Sequence, residues 1–356
     1  MDRADERYYW VDMSALLGNG TAYGSYRVLG NLTVEMENVG TYTEYRRQLD
    51  LSTGVHSTTF KARNDGDNDD DDGSAEYLVS VFCSYPDQVC VYDVSSDSIL
   101  PNMTVGFENI LVDQSLLDHS CGEGVARFSG ITQAGSPEGM KYAAIARVAA
   151  GTTTSKGCSS GGSLELVPNG KRISIIISAE TNYDQNHGNA ESGWSFKGSD
   201  PEPIIEELSA AGSNKYYEEL LERHIADYQE LQGAFSLILP DPNGSEAVET
   251  GELLANYSRD YFSNSTNSTG AGDPFVESLL FDLARHLLIS SSRPGSLPAN
   301  LQGRWAEQLD PAWSADYHAN INVQMNYWPA DQTGLSVTQQ PLWDHIEATW
   351  ATRGRE

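Results

Sequence analysis

The residues best suited to chemistry lie in one stretch near the C-terminus, residues 297–330, which reads LPANLQGRWAEQLDPAWSADYHANINVQMNYWPA. Aromatic side chains alternate there with amides, one histidine and few charges: Trp305, Trp313, Tyr317, Tyr327 and Trp328 with Asn300, Gln302, Asp316, His318, Asn320, Asn322, Gln324 and Asn326. Aromatic rings can cover the C–H faces of a sugar, while amides and an imidazole bond its hydroxyl groups. The composition is therefore typical of a site for a neutral polyhydroxylated ligand. The alternative is a buried turn whose polar groups only satisfy backbone atoms.

The elements that must position this stretch are helices. Asp273 and Pro274 are suited to the N-cap and first position of a helix, and its apolar face runs until SSSRPG ends it around Ser290. Shorter helices are predicted over residues 322–328 and 340–350.

A helical segment is also predicted further upstream, over residues 201–272. Pro203 fits the first turn of one helix, and a second helix carries an apolar stripe over residues 217–231 and ends at Gly233. Residues 256–272 are rich in Ser, Thr, Asn and Gly and are interpreted as a linker.

Three polar side chains on these helices are interpreted as structural. His224 lies on the apolar stripe and is expected to be packed and hydrogen-bonded, with ligand binding as the weaker alternative. Arg285 and His286 lie near the end of their helix, where a cation offsets the helix dipole.

The first half of the chain has the pattern of a β-protein. From about Tyr26 to Ser178, runs rich in β-branched and aromatic residues alternate with Gly, Asp, Asn and Ser clusters: NLTVEM, EYLVSVF, VCVYDV, NMTVGFEN, KYAAIARVAA and RISIIISAE. Many short strands without intervening helices predict an antiparallel β-sandwich.

An acidic insertion, DGDNDDDD at residues 65–72, interrupts the strands. Asp65, Asp67, Asp69 and Glu76 occupy positions 1, 3, 5 and 12 of an EF-hand calcium loop, but position 6 lacks glycine and the flanks are not helical. The insertion is interpreted as a solvated acidic loop, with these four residues kept as a weak metal-site candidate.

Charge and hydropathy limit the partners. The chain has 22 basic and 51 acidic residues and a net charge of -29, which disfavours nucleic acid and anionic membranes. No apolar run approaches the ~20 residues of a membrane span, so no membrane partner is expected.

The glycosylation patterns favour a secreted eukaryotic protein, while the cysteines leave disulfides and free thiols open. The four cysteines allow one or two disulfides, and Cys83 and Cys90 flank a predicted hairpin connection across which they could face each other. Free buried thiols remain the alternative. The N-glycosylation pattern occurs at seven asparagines: Asn19, Asn31, Asn102, Asn243, Asn256, Asn264 and Asn267. Because the residues after Met1 are charged and form no signal sequence, the natural start is expected upstream.

The order of residues in the C-terminal stretch carries a family resemblance. RHLLISSSRPGSLPANLQGRW followed by DYHANINVQMNYWPA resembles the opening of the catalytic domain of glycoside hydrolase family 95, the inverting α-L-fucosidases. Upstream, GSYRVLGNLTVEM, YRRQLDLSTG, SYPDQVCVYDVSS and HIADYQELQGAFSL resemble the same family in the same order. With gaps, the resemblance covers nearly the whole chain.

The resemblance implies an activity and assigns roles. It implies removal of terminal α-linked, in particular 1,2-linked, L-fucose from oligosaccharide or polysaccharide, with inversion and without a cofactor or required metal. Asn320 and Asn322 would orient the attacking water, with capping of the following helix as the alternative, and His318 would bond sugar hydroxyls. Trp313 and Trp328 are candidates to line the pocket, although a place in the core is as well supported. Asp316 is interpreted as a structural hydrogen-bond partner.

The resemblance also implies three regions. Residues 1–197 would form a β-sandwich whose first strands lie upstream, residues 198–272 a helical connector, and residues 273–356 the start of an (α/α)6 barrel. Twelve helices of about 11 residues need more than the 84 residues from Asp273 onward. The family's acid Glu and base Asp lie later in the barrel, so an inactive fragment is expected. An α-L-galactosidase and a non-catalytic carbohydrate-binding fragment are the alternatives.

Overall fold

The structure is a computed structural model. It describes residues 28–351 except 65–73, 110–113, 136–137, 151–154, 263–271, 302–306, 309–312 and 314–315. The described residues fall into two compact bodies, which lie within Leu29–Pro298 plus Trp328–Glu356 and within Met1–Val28 plus Ala299–Tyr327.

The first body begins with a series of strands. Its described part contains twelve: β1 Asn31–Met36, β2 Val39–Asp50, β3 Val55–Asn64, β4 Ala75–Ser84, β5 Val89–Ser96, β6 Met103–Glu108, β7 Leu117–Gly122, β8 Val125–Ile131, β9 Lys141–Val148, β10 Ser155–Cys158, β11 Leu164–Val167 and β12 Arg172–Thr181. All pairings are antiparallel. The strands form a four-stranded sheet, β1-β6-β11-β10, and an eight-stranded sheet, β2-β3-β4-β5-β12-β9-β8-β7.

The two sheets pack face to face around one apolar core. Met103 and Leu164 from the smaller sheet meet Tyr77, Val94 and Ile175 from the larger one, and all five are at most 3% exposed. Alternate residues of each strand point into this layer because side chains alternate between the faces of a strand. The predicted antiparallel β-sandwich is confirmed.

Helices follow the strands. In the described part of the chain these are α1 Glu202–Ser213, α2 Tyr217–Gln232, α3 Thr250–Phe262, α4 Pro274–Ser291, α5 Asn322–Tyr327 and α6 Gln340–His345, which continues as a π-helical turn over Ile346–Ala351. Short 3-10 turns lie at Gln114–Leu116, Ser245–Ala247, Asp331–Thr333 and Ser336–Gln339.

Helices α1 and α2 cover the outer face of the larger sheet. Leu220 of α2 packs into a cluster with Phe82, Val91 and Ile176. Gly212 lets α1 come close, since a Cβ there would lie 2.9 Å from the Ile176 side chain. The larger sheet is therefore buried on both faces in this region, which explains the almost continuous apolar run of β12.

Most predicted element bounds agree with the structure. Gly233 is the C-cap of α2, and the side chain of Asp273 accepts hydrogen bonds from the backbone N–H groups of Phe275 and Val276 at the start of α4. The linker prediction for residues 256–272 is wrong at its beginning, because α3 continues to Phe262. Residues 263–271 lie outside the described part.

The dipole role predicted for Arg285 and His286 is also wrong. The guanidinium group of Arg285 donates to backbone carbonyls at the end of α2, a different helix. His286 Nδ1 lies 3.0 Å from the hydroxyl of Tyr228 on α2. His224 is packed as predicted, 6% exposed, with its ring centroid 4.9 Å from that of Phe82.

All four cysteines are paired. Cys83 and Cys90 are direct register partners on β4 and β5 and form one disulfide. Cys121 and Cys158 form the other across 37 residues of chain. Four cysteines allow three complete pairings, and the structure contains this one. Within the described residues no helix is long and apolar enough to span a bilayer.

Candidate functional site

The chain is anchored immediately before the candidate stretch. Arg293, just after α4, donates to both carboxylate oxygens of Asp227 at 3.0 and 2.7 Å. Its guanidinium carbon lies 3.9 Å from the centroid of the Tyr85 ring, and the Tyr85 hydroxyl donates to the carbonyl of Pro294 at 2.9 Å. A bidentate ion pair and a cation–π contact thus fix the backbone that leads to residue 297.

The second body holds the His-Ala-Asn-Ile-Asn motif in a turn that enters α5. The backbone N–H of Val323 donates to the carbonyl of His318 at 3.1 Å, and the side-chain amide of Gln324 donates to the carbonyl of Ala319 at 2.6 Å. Asn320 lies in the turn and Asn322 is the first helical residue. Two amides at i and i+2 can address one ligand only if the backbone is extended or turns between them, and here it turns.

Both asparagine side chains of the motif are open to a ligand. Asn320 is exposed and Asn322 is half-buried. Among the described residues, neither side-chain amide has a hydrogen-bond partner. A carboxamide in this setting can accept a hydrogen bond from water through its oxygen and donate one through its nitrogen.

The imidazole of His318 is oriented by a carboxylate. Asp316 Oδ1 contacts His318 Nδ1, and both side chains are about one third exposed, at 29% and 33% respectively. The carboxylate favours a proton on Nδ1, which leaves Nε2 able to accept from a hydroxyl group. Neither Asp316 Oδ1 nor His318 Nδ1 makes a hydrogen bond within the described residues, so the structural hydrogen bond predicted for Asp316 stays a prediction.

The two aromatic candidates in the described part of the chain, Trp313 and Trp328, have exposed side chains. Within the second body, Trp313 is 63% exposed and has a left-handed backbone with φ of +53°, which is unusual for a bulky residue. Trp328 belongs to the first body and is 58% exposed. Neither side chain is therefore buried by the described residues, and the choice between pocket and barrel core stays a prediction. Trp305 lies outside the described residues.

Tyr327 differs from these tryptophans. It is 5% exposed, and its hydroxyl accepts from the backbone N–H of Ala299 at 2.7 Å. The bond joins the beginning of the candidate stretch to the end of α5, and it ties together the described part of the second body. Its partner is a backbone group far away in sequence, so residue pattern alone could not identify this role.

The metal-site candidate is not tested. Asp65, Asp67 and Asp69 lie outside the described residues, while Glu76 is exposed on β4, where its backbone N–H donates to the Asp97 carboxylate at 3.1 Å. Within the part of the chain that the structure describes, no group of three or more His, Cys, Asp or Glu side chains is placed to hold a metal ion.

Two family models match the chain. Residues 216–356 match the glycosyl hydrolase family 95 catalytic domain. Residues 9–186 match the N-terminal domain of glycosyl hydrolase family 65. The second match covers the β-sandwich, and the first begins at α2 and includes the His-Ala-Asn-Ile-Asn motif.

Curated relatives align along nearly the whole chain. The probable alpha-fucosidase A of Aspergillus niger is 41% identical over 97% of the chain, and that of Aspergillus oryzae is 39% identical over 96%. Alpha-L-fucosidase 2 of Arabidopsis thaliana is 30% identical over 99%. The chain spans less than half the length of these relatives: 41%, 45% and 42% respectively.

Among solved structures, a putative kojibiose phosphorylase from the human microbiome aligns with a TM-score of 0.46 and 11% identity. The alignment covers 76% of this chain and 33% of that one.

Proposed function

Because the chain belongs to glycoside hydrolase family 95, we propose that it is part of an α-L-fucosidase that removes terminal α-linked L-fucose from oligosaccharide or polysaccharide, with inversion and with preference for the 1,2-linkage. The turn over residues 318–322 carries this proposal. It presents, on one short backbone segment, an imidazole in contact with Asp316 and two amides that have no hydrogen-bond partner within the described part of the chain. The names of the three curated relatives support the sugar.

The proposed chemistry needs a positioned water. In an inverting glycosidase one carboxylic acid protonates the leaving oxygen, while a base on the opposite face activates water, with about 6.5–9.5 Å between the two carboxyl groups. Asn320 and Asn322 would hold that water through their amide oxygens while a carboxylate takes its proton. His318 would accept from a fucose hydroxyl through Nε2, with Asp316 fixing the ring.

The family resemblance implies that the acid Glu and the base Asp lie in a later part of the catalytic domain. Loss of one proton transfer costs about 10²- to 10⁴-fold in rate. We therefore propose that these 356 residues alone do not turn over substrate. The three-region division into residues 1–197, 198–272 and 273–356, with an (α/α)6 barrel beginning in the last, belongs to the same proposal.

The proposed location is outside the cell. The two disulfides support it, since such bonds persist in oxidising compartments. The seven glycosylation patterns in the sequence point the same way.

Hydrolysis of 2′-fucosyllactose by the chain and by a version extended through the downstream reading frame tests the proposal. Activity is expected only in the extended protein. In that protein Asn320→Ala and Asn322→Ala are each expected to lower kcat about 10²- to 10³-fold, the range for loss of one polar group that acts on the transition state. KM should change much less.

Gln308→Ala is the matched control, because it removes an exposed amide from the same stretch. It is expected to keep the parent kcat, and thermal unfolding of each variant separates a catalytic loss from misfolding. Full kcat in the Asn320→Ala, Asn322→Ala double variant would refute the assigned role. Hydrolysis of an α-L-galactoside in preference to the fucoside would refute the proposed sugar.

A further inference from the structure

Two of the glycosylation patterns lie at the two ends of strand β1. Asn31 is the first residue of β1, and Asn102 directly precedes β6, the strand paired with β1. Asn102 is held beside the turn that follows β1: its carbonyl accepts from the backbone N–H of Glu37 at 2.8 Å, and its side-chain amide donates to the Glu37 carboxylate at 3.1 Å. One pattern therefore marks the start of the strand and the other its end.

Strand β1 is the outermost strand of the four-stranded sheet in the described part of the molecule. An outermost strand presents N–H and C=O groups that can pair with another chain, and proteins commonly blunt such strands with lysine, proline or a bulge. The β1 sequence, NLTVEM, contains neither lysine nor proline, and its pairing with β6 runs in unbroken register from Asn31 to Met36. Lysine, proline and a bulge are thus all absent from this strand, and the exposed Glu35 is its one charged residue.

The side chains of β1 alternate in a way that leaves the patterns accessible. Leu32, Val34 and Met36 pack against the sandwich core. Because side chains alternate between the two faces of a strand, Asn31 and Thr33 lie on the face of β1 that points away from that core. Both Asn31 and Asn102 are exposed.

We propose that Asn31 and Asn102 carry N-linked glycans that shield the edge of β1, the outermost of the described strands of its sheet. The inference rests on the proposed passage through the secretory pathway. In the transfer step, the amide nitrogen of asparagine forms a bond to C1 of the first sugar of a lipid-linked oligosaccharide. The C1–O bond to the lipid pyrophosphate breaks, and the amide loses one proton. The third residue supplies the required hydroxyl, from Thr33 at one site and Thr104 at the other.

The spacing of the two sites suits this role. Six strand residues extend about 20 Å, so a branched glycan at each end leaves little free length for a second strand. A glycosylated asparagine keeps one amide N–H. Asn102 can therefore still donate to Glu37 and hold its glycan against the end of β1.

Secretion of the full chain from a eukaryotic host, behind an added and cleaved signal peptide, tests the proposal. Deglycosylation in heavy-oxygen water followed by peptide mass spectrometry is expected to label both Asn31 and Asn102. Translation in the presence of microsomes measures the same two sites by gel shift, so poor secretion does not prevent the test. An unmodified Asn31 or Asn102 in both systems would overturn it.

The shielding role needs a second measurement. The double variant Thr33→Val, Thr104→Val abolishes both patterns but keeps β-branched strand residues, and we expect its mass by light scattering to shift from the parent value to dimers and larger species. Thr33→Ser, Thr104→Ser keeps both patterns and should behave like the parent. Asn256→Gln removes a pattern on α3, outside the sheets, and should leave the mass distribution unchanged.

An unchanged mass distribution in the Thr→Val double variant would overturn the shielding role. The shielding role would also be overturned if the Asn256→Gln variant associated as much as the Thr→Val double variant. Loss of any glycan would then lower solubility, wherever that glycan is attached. Neither result depends on fucosidase activity or on the protein's native export signal, so failure of this inference is distinguishable from failure of the proposed function.

Discussion

Arg285 provides a direct test of how the C-terminal helices are held. It lies on α4, is 3% exposed, and donates to four backbone carbonyls. Two of them belong to the last residues of α2, Leu231 and Gln232, at 3.0 and 2.7 Å, and a third belongs to Phe235, three residues past the helix end, at 3.1 Å. The fourth is Thr333, at 3.0 Å. The last carbonyls of a helix lack partners within the helix and carry the negative end of its dipole, so one buried cation satisfies both needs.

Arg285→Met keeps most of the side-chain volume but removes the guanidinium donor from all four carbonyls; the Leu231 carbonyl still accepts from the backbone N–H of Ala234 at 3.2 Å. A hydrogen bond to a charged group contributes about 1.5–3 kcal/mol, and part of the sum is cancelled by the cost of burying the guanidinium. We expect a loss of about 4 kcal/mol in the free energy of unfolding. Arg285→Lys should lose about half of this, because an ammonium group keeps the charge but not the planar fork of donors.

Urea unfolding followed by tryptophan fluorescence measures this loss, and limited proteolysis locates it. Proteolysis of the Arg285→Met variant should begin within residues 232–351 while the sandwich stays resistant. Arg127→Met is the matched control, because Arg127 is 44% exposed and pairs at 3.0 Å with Glu206, which is 47% exposed; an ion pair between exposed side chains contributes about 0–1 kcal/mol. A loss below 1 kcal/mol for Arg285→Met, or equal losses at both arginines, would refute the reasoning.

Two further predictions concern stability. Burial lowers the pKa of His224; its stabilising effect is therefore complete above the unfolded-state pKa of about 6.5 and is lost as the pH falls toward the folded value. His224→Gln should reduce the drop in urea midpoint between pH 7.5 and 5.5, and an unchanged drop would contradict this. Replacing Cys121 and Cys158 by serine should cost about 4 kcal/mol, and replacing Cys83 and Cys90 about 2, because the bridges close loops of 37 and 7 residues. Urea unfolding of the two double variants measures both losses, and the reverse order would contradict the loop-entropy explanation.

The sequence predicted the elements whose signals are local. Strands β1 and β5 begin where the β-branched runs begin, and α4 begins at the Asp273–Pro274 pair because an N-cap carboxylate and a proline act within one turn. The run of residues 256–272 was misread because Ser, Thr and Asn disfavour a helix only weakly and packing can overcome that preference. The pairing of Cys121 with Cys158 depends on which strands are neighbours, which local pattern does not encode.

The residue types of the candidate site could be predicted from the sequence, but not all of the contacts that hold these residues in place could. The mixture of amides, imidazole and aromatic rings indicated only a site for a polyhydroxylated ligand, whereas the individual roles of Asn320, Asn322 and His318 were implied by the family resemblance. The contact between Asp316 and His318 spans two residues and could be anticipated from their spacing. The hydrogen bond from Ala299 to Tyr327 could not be anticipated. It joins a backbone donor to a side chain 28 positions away, and no pattern in the residue types indicates it.

The helical connector is part of the sandwich rather than a flexible tether. Leu220 of α2 is buried with strand residues of the larger sheet, and the Tyr228 hydroxyl donates to the carbonyl of Leu51 in the β2–β3 turn at 3.2 Å. Gly54 in that turn has φ of +69°, and a Cβ there would lie 2.9 Å from the Tyr228 ring. Only glycine accepts this backbone and this close contact without strain.

The β4–β5 turn holds the same helix from a second side, through Asp87 and Arg223, and it contacts the end of α4 through Tyr85 and Arg293. The Cys83–Cys90 disulfide closes this turn directly. Two strand turns therefore hold both α2 and the segment that directly follows α4, as far as Pro294.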